Sequence, residues 1–128
     1  MRSVYFSEKE LECPCCGKSD MDAGFLSELD NLRGKAGIPL VLNSAFRCRK
    51  QNDLVGGVRN SAHLHGKAVD IRAKTSRTRH KILKAAYSMG LQQGHSSFFM
   101  GFRRIGIAKG FIHVDTDDFL PQDATWTY

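Results

Sequence analysis

The sequence predicts an α+β domain in which a small antiparallel sheet packs against helices. Helix and strand patterns follow one another without regular βαβ alternation, and such mixing favours an antiparallel sheet over a parallel one. The 128 residues are 41% hydrophobic and 9% aromatic, which suffices for one modest hydrophobic core. We therefore expect a single domain over residues 1–128, and we expect it to be a monomer.

Three segments carry helix signals. Ser7 and Glu10 have capping-box spacing, which predicts a short helix with Phe6 packed against its start. A longer core helix is indicated by apolar residues at steps of four, four and three, namely Met21, Phe25, Leu29 and Leu32. A third helix is predicted to start at a Ser76 cap and to stop at Gly90, with a buried face made of Ile82, Leu83, Ala86 and Met89.

Four short segments have the composition of strands, residues 39–46, 69–71, 104–108 and 111–116. The last two are predicted to be joined by a turn at Lys109 and Gly110. Trp126 and Tyr128 at the end of the chain are expected to pack back onto the domain, because exposed aromatic tails are disfavoured.

The chain is basic, with 19 Lys and Arg against 13 Asp and Glu and a formal net charge of +6. Many of the cations cluster before and within the third helix, at Arg72, Lys74, Arg77, Arg79, Lys81 and Lys84. This cluster fits a solvated helix surface or attraction to anionic cell-wall polymers. It fits nucleic acid less well, because little aromatic surface accompanies it, and we expect no nucleic-acid partner.

No apolar run approaches the roughly 20 residues that span a bilayer, so we expect no membrane partner. Residues 1–11 lack the layout of a signal peptide, a positively charged region followed by an apolar one. We expect synthesis in the cytoplasm, so that any substrate outside that compartment is reached only after release by other means.

The four cysteines form an unusual pattern, with Cys13, Cys15 and Cys16 close together and Cys48 distant. Two matched CxxC pairs would indicate structural zinc, but the sequence has C-x-C-C and one remote thiol. Three interpretations stay open: reduced or loosely disulfide-linked structural cysteines, a small metal site, or a reactive thiol.

A second group of side chains has the chemistry of a metal site. His63 and Asp70 are seven residues apart, and Gly66 between them allows a sharp bend. His113 lies in an apolar strand, where Phe111 and Asp115 share its face. A histidine in such a strand is more often a satisfied core residue than a ligand. Two imidazoles and one carboxylate nevertheless suit one zinc ion with a fourth position left for water.

The stretch SAFRCRKQNDLVGGVRNSAHLHGKAVDI, followed by RIGIAKGFIHVDTD, resembles the zinc D-Ala-D-Ala carboxypeptidase family, which includes phage L-alanyl-D-glutamate endopeptidases. The family pattern S-x-H-x-x-G-x-A-x-D is met by Ser61, His63, Gly66, Ala68 and Asp70. The likeness covers residues 6–115, and it implies the hedgehog/DD-peptidase fold and a phage or bacterial origin.

The resemblance also implies site roles. His63, Asp70 and His113 would be the zinc ligands, and Arg47 would face the substrate. A guanidinium beside the metal can bind a peptide carboxylate or stabilise the oxyanion that forms during amide hydrolysis. Ser61 and His65, on either side of the first ligand, are expected to contact substrate as well.

The general base is missing from its usual place. Many relatives carry a carboxylate three residues before the last histidine, and others carry a histidine two residues before it, where this chain has Gly110 and Phe111. Asp115 is the leading substitute, either accepting a proton or orienting a ligand. His95 is a less favoured acid or base.

These observations predict a zinc metallopeptidase that cuts an amide in the peptide stem of bacterial peptidoglycan, as a D-Ala-D-Ala carboxypeptidase or an endolysin-type endopeptidase. A phage product that reaches the wall at lysis would fit the expected lack of export. The alternative is a zinc-bearing binding module of the same fold with little or no activity. A third hypothesis, a basic nucleic-acid binder built on the cysteine cluster, would show metal bound through thiolates.

Overall fold

A computed structural model describes residues 3–93 and 101–128, with the side chains of residues 90–93 excepted. The helices in this part of the chain are α1 (Glu8–Leu11), α2 (Ala23–Ala36), α3 (Arg49–Leu54) and α4 (Ser76–Gln93), with a 3-10 helix at Ala62–His65. The strands are β1 (Leu42–Ser44), β2 (Ala68–Arg72), β3 (Arg104–Ile107), β4 (Phe111–Asp115) and β5 (Ala124–Thr127). The α+β prediction is confirmed, although several strands are shorter than the predicted segments.

The strands form one mixed sheet with the order β1-β2-β4-β3-β5. Three of its pairings are antiparallel, as predicted, but β5 runs parallel to β3. We had not predicted a strand at residues 124–127, because only four residues carry the pattern and the partner strand lies about twenty positions earlier. Main-chain bonds at both ends hold it in place, from Ala124 N to Arg103 O at 2.9 Å and from Tyr128 N to Ile107 O at 3.2 Å.

Local sequence signals account for the helix starts. The capping box of α1 is confirmed, since Glu10 N donates to Ser7 Oγ at 3.2 Å and Ser7 N donates to Glu10 Oε1 at 3.0 Å. The predicted Ser76 cap is displaced by one residue, because the Thr75 hydroxyl accepts from Thr78 N at 3.1 Å. This helix also passes through Gly90 and ends at Gln93, since a single glycine costs a helix only about 1 kcal/mol.

The central strands divide the domain into an apolar and a polar face. Val69 and Ile71 of β2 lie in register with Val114 and Ile112 of β4, and all four are fully buried in the main core. The same core contains the inward faces of α2 and α4, among them Phe25, Leu26, Leu29, Ile82 and Ala86. The alternate positions of β2 and β4 project from the other side of the sheet, and these positions carry the polar residues discussed next.

Within residues 3–93 and 101–128, no helix combines the length and hydrophobicity required to cross a lipid bilayer.

Candidate metal centre

Strand register brings Asp70 and His113 together. The two residues are direct partners in the antiparallel pairing of β2 with β4, on the face opposite the apolar core. His113 Nδ1 lies 2.9 Å from Asp70 Oδ1, although the two residues are 43 positions apart in sequence. The sheet therefore fixes two of the predicted metal ligands without help from a flexible loop.

The 3-10 helix delivers His63 to the same place. Ser61 starts that helix by accepting a hydrogen bond from His63 N at 3.2 Å, and Gly66 ends it with φ +67°. A side chain at Gly66 would collide with the backbone of Asp20 and Met21, so this position requires glycine for space as well as for conformation. His63 Nε2 consequently lies 3.3 Å from Asp70 Oδ1, with only 2% of the residue exposed.

In His63 and His113, a hydrogen bond on the outer side of the imidazole ring determines which ring nitrogen can bind a metal ion. The backbone carbonyl of Ala45 lies 2.7 Å from His63 Nδ1 and can only accept, so Nδ1 carries the proton and Nε2 keeps its lone pair. Asp115 Oδ2 lies 2.6 Å from His113 Nε2, so in the neutral ring the proton is on Nε2 and the Nδ1 lone pair faces inward.

Three acceptor atoms therefore point at one centre. One ligand atom from each of His63, Asp70 and His113 can be chosen so that all three lie within 4.8 Å of one another. Neutral imidazoles and a carboxylate facing each other in this way repel unless a proton or a cation lies between them. The donor set, with an outer partner for each imidazole, fits zinc, and the structure brings together the three residues that the resemblance implied as ligands.

The same contacts shift the pKa values of Asp70 and His113. Burial raises the pKa of the Asp70 carboxyl, but its hydrogen bonds with His113 and His63 outweigh burial and hold that pKa well below its usual range. Burial lowers the pKa of His113, but hydrogen bonds with Asp115 and Asp70 raise it above its ordinary value. Without a metal, the site therefore favours a proton on His113 between two carboxylates.

Asp115 is fully engaged by its neighbours. One oxygen accepts from His113, while the other accepts from Arg104 Nε at 2.9 Å and from Asp117 N at 3.1 Å. The residue is 0% exposed. Arg104 in turn donates to the carbonyl of Pro121 at 2.7 Å. Of the two roles that the sequence left open for Asp115, these contacts favour orienting His113 over accepting a proton from water.

Arg47 lies on the other side of Asp70. Its guanidinium donates to Asp70 Oδ2 at 3.2 Å, to Asn52 Oδ1 at 3.1 Å and to Ser44 Oγ at 3.0 Å. Gly57 packs so closely on this group that an added Cβ would collide with Asn52 and lie 3.0 Å from Arg47 Nη1. The side chain is 13% exposed and is held in one orientation at the edge of the centre.

A cavity of about 520 Å³ opens over the three acceptors, and Arg47, Ser61 and Asp115 also line it. Sequence analysis missed three further lining residues, Arg104, Trp126 and Tyr128. Trp126 packs on His113 with ring centroids 5.4 Å apart, and the Arg104 guanidinium lies 4.8 Å from the centroid of the same indole. The only sequence signal for these residues was their aromatic or cationic character, which does not reveal a parallel strand pairing.

The three other predicted residues, His65, Ser61 and His95, differ in where they lie. His65 is outside the set of residues that line the cavity, and its Nδ1 lies 3.0 Å from Asp117 Oδ2. Ser61 lines the cavity, but its hydroxyl is engaged in capping the 3-10 helix. His95, the less favoured acid or base, lies outside the described residues.

Comparison with known proteins finds a family to which the chain is similar. The sequence profile of the family described as Peptidase M15 matches residues 4–115, which is most of the chain and includes His63, Asp70 and His113. No curated protein matches the chain significantly.

Proposed function

Because the chain belongs to the Peptidase M15 family, we propose that it is a zinc metallopeptidase that hydrolyses an amide bond in the peptide stem of bacterial peptidoglycan. Membership of this family indicates a peptidase with zinc as its metal. The identity of the metal in this chain, the ligand roles and the wall substrate are the proposal.

One observation carries the proposal: His63 Nε2 and His113 Nδ1 both lie within hydrogen-bonding distance of Asp70 Oδ1, beside a cavity that all three residues line. These three residues would hold a single zinc ion. When bound, zinc supplies a Lewis acid that polarises a carbonyl group and makes a water molecule more acidic.

The other residues of the cavity prepare the site for an amide substrate. Ser44 and Asn52 hold the Arg47 guanidinium in position, so this group can bind a substrate carboxylate or stabilise an oxyanion. Trp126 covers the side of His113 that faces β5 and limits access of bulk water to that ring. Asp115 orients His113, and Arg104 holds Asp115 in turn.

The wall substrate is supported by chemistry as well as by the family. The chain carries a net charge of +6, which favours association with anionic wall polymers. Stem peptides of peptidoglycan are short and carry free carboxylates that Arg47 can bind. Cleavage of the terminal D-Ala-D-Ala bond and cleavage of the L-Ala to D-Glu bond both fit this arrangement. In this proposal the protein is made in the cytoplasm and reaches the wall after release, as a phage lysis product would.

A second function is favoured by one specific observation. Asp70 and Asp115 are the carboxylates that line the described cavity, and both are engaged by Arg47, Arg104 or the histidines. No free carboxylate in the described part of the cavity is placed to take a proton from an attacking water. This favours, as the alternative, a zinc-bearing module that binds stem peptides with little or no cleavage.

A digest of purified peptidoglycan distinguishes the two functions. Zinc-loaded protein is incubated with intact wall, and released fragments are identified by mass spectrometry, whose masses also identify the bond that is cut. The proposal expects new termini with wild type and with His80→Ala, an exposed histidine on α4, and none with His63→Ala. Full zinc occupancy without any new fragment would favour the binding module.

A further inference from the structure

The cysteines that the candidate centre leaves unused come together on another part of the surface. Cys13, Cys16 and Cys48 place their sulfur atoms within 4.8 Å of one another. Cys13 Sγ and Cys48 Sγ are 3.7 Å apart, across 35 positions of sequence. All four cysteines are free thiols, and Cys13 is buried while Cys15 and Cys16 are exposed. This group shares no residue with the candidate centre, and the proposed peptidase reaction does not use it.

Cys13 and Cys16 lie in one hydrogen-bonded turn, which brings their sulfur atoms close together. Cys13 N donates to Lys18 O at 2.7 Å, and Gly17 N donates back to Cys13 O at 2.8 Å. Gly17 follows Cys16 directly and has φ +73°, a conformation that glycine adopts without strain. The structure thus identifies Cys13 and Cys16 as a CxxC pair, the spacing typical of zinc-binding turns, with Cys15 as an extra thiol between them.

The third thiol of the cluster, Cys48, lies at the start of α3. Cys48 is the N-cap of this helix, and its sulfur accepts from Gln51 N at 3.4 Å. Cys48 N donates to Cys13 Sγ at 3.4 Å. Burial raises the pKa of Cys13, but backbone N–H groups of Cys48, Cys16 and Cys15 pointing at its sulfur lower that pKa to about 7. Backbone donors that stabilise a thiolate also stabilise a metal–thiolate bond.

We propose that Cys13, Cys16 and Cys48 bind a second zinc ion as a structural site, with the fourth position left to a water molecule or another donor. Zinc–sulfur bonds of about 2.3 Å in a tetrahedron place the sulfurs roughly 3.8 Å apart. The 3.7 Å separation of Cys13 and Cys48 matches that edge. A disulfide would require about 2.0 Å between two of the sulfurs and would leave Cys16 without a role.

The location of the site gives it a structural purpose. The cluster ties the segment that follows α1 to the segment that follows β1, where Phe46 N also donates to Leu11 O at 3.3 Å. Cys48 is the immediate neighbour of Arg47, whose guanidinium reaches the candidate metal centre. A zinc ion held by these thiolates would therefore fix the backbone from which Arg47 projects.

Metal counting with paired variants tests this proposal separately from the proposed peptidase function. The full-length protein is purified under reducing conditions, loaded with zinc and measured by elemental mass spectrometry. Wild type is expected to hold two zinc ions per chain. Cys16→Ser, at an exposed position, and His63→Ala are each expected to hold one. If the histidine site fails and the thiolate site is real, His63→Ala will match wild type at one ion.

Cobalt substitution identifies the ligands without relying on a variant that folds poorly. Cobalt bound through thiolates gives an intense sulfur-to-metal charge-transfer absorption, which is expected in wild type and in His63→Ala but absent in Cys16→Ser. Cys15→Ser removes an exposed thiol that is not part of the cluster, so this variant is expected to keep the second ion and the charge-transfer band. Absence of the charge-transfer band in cobalt-loaded wild type, or a Cys13–Cys48 disulfide in the reduced preparation, would overturn the proposal.

Discussion

Replacing Asp115 by asparagine tests how the candidate centre is held together. The substitution keeps the shape of the side chain but removes its charge and half of its accepting capacity. Asp115 accepts from three donors, His113 Nε2 at 2.6 Å, Arg104 Nε at 2.9 Å and Asp117 N at 3.1 Å. An asparagine oxygen can serve only one side of this set, and the new NH₂ group then faces a donor on the other.

The contacts of Asp115 set the expected loss of zinc affinity and of stability in Asp115→Asn. Loss of an outer carboxylate partner of a ligating histidine typically weakens metal binding about 10- to 100-fold, which corresponds to about 1.4–2.8 kcal/mol. Arg104, whose side chain is 13% exposed, also loses a charge-assisted hydrogen bond worth about 1.5–3 kcal/mol. Asp115→Asn should therefore bind zinc about 10- to 100-fold more weakly and should unfold at lower urea concentration than wild type.

The assay is a competition titration with a chromophoric zinc chelator, followed by a digest at saturating zinc. Asp118→Asn is the matched control, because that carboxylate is 75% exposed and its contact with Lys67 spans 3.8 Å. If the zinc affinity of Asp115→Asn equals that of wild type while cleavage disappears, Asp115 acts on the proton of the attacking water, and the positioning role is refuted.

Three further predictions concern pH, backbone and substrate. In the folded, metal-free protein the pKa of His113 is raised from 6.5, so His113 keeps its proton at pH values where the unfolded chain has lost it. The stability that this proton adds to the folded state is complete below about pH 6.5 and is lost as pH rises through the folded pKa. Urea unfolding across a pH series measures this loss. Zinc competes with that proton, so its apparent affinity in chelator titrations should increase over the same pH range. Gly66→Ala should cost at least about 1–3 kcal/mol in the free energy of unfolding, because φ is +67° and the Cβ would meet Asp20, whereas Gly110→Ala, with open space around it, should be neutral. Arg47→Lys should retain zinc in metal analysis but lose about 10- to 100-fold in kcat/KM. The reason is that a lysine ammonium cannot reproduce the charge-assisted hydrogen bonds of Arg47 to Asp70 and its neighbours, which are worth about 1.5–3 kcal/mol.

Much of the candidate centre could be predicted from local patterns. The alternation of side chains along β4 placed His113 and Asp115 on one face, and that prediction depends only on the geometry of a strand. The sharp bend at Gly66 between His63 and Asp70 was predicted, and in the structure Gly66 has a φ of +67°. The contact between Asp70 and His113 depends on strand register, which local patterns could not predict, and the resemblance to a family implied only that both residues bind the same zinc ion.

Other features depend on contacts between distant segments. Asp115 could be given two roles from sequence because its partner Arg104 lies on β3, eleven positions earlier, and nothing local indicates that pairing. The strand containing Trp126 is defined by parallel pairing with β3, so its terminal position suggested only a packed tail. The CxxC pair was hidden by Cys15, and its connection to Cys48 spans 35 residues.

The most direct test of the account is a crystal structure of the zinc-loaded protein with anomalous data collected on both sides of the zinc absorption edge. We predict an anomalous peak about 2.0–2.2 Å from His63 Nε2, His113 Nδ1 and an oxygen of Asp70. A fully loaded crystal with no zinc peak between these three side chains would contradict the account.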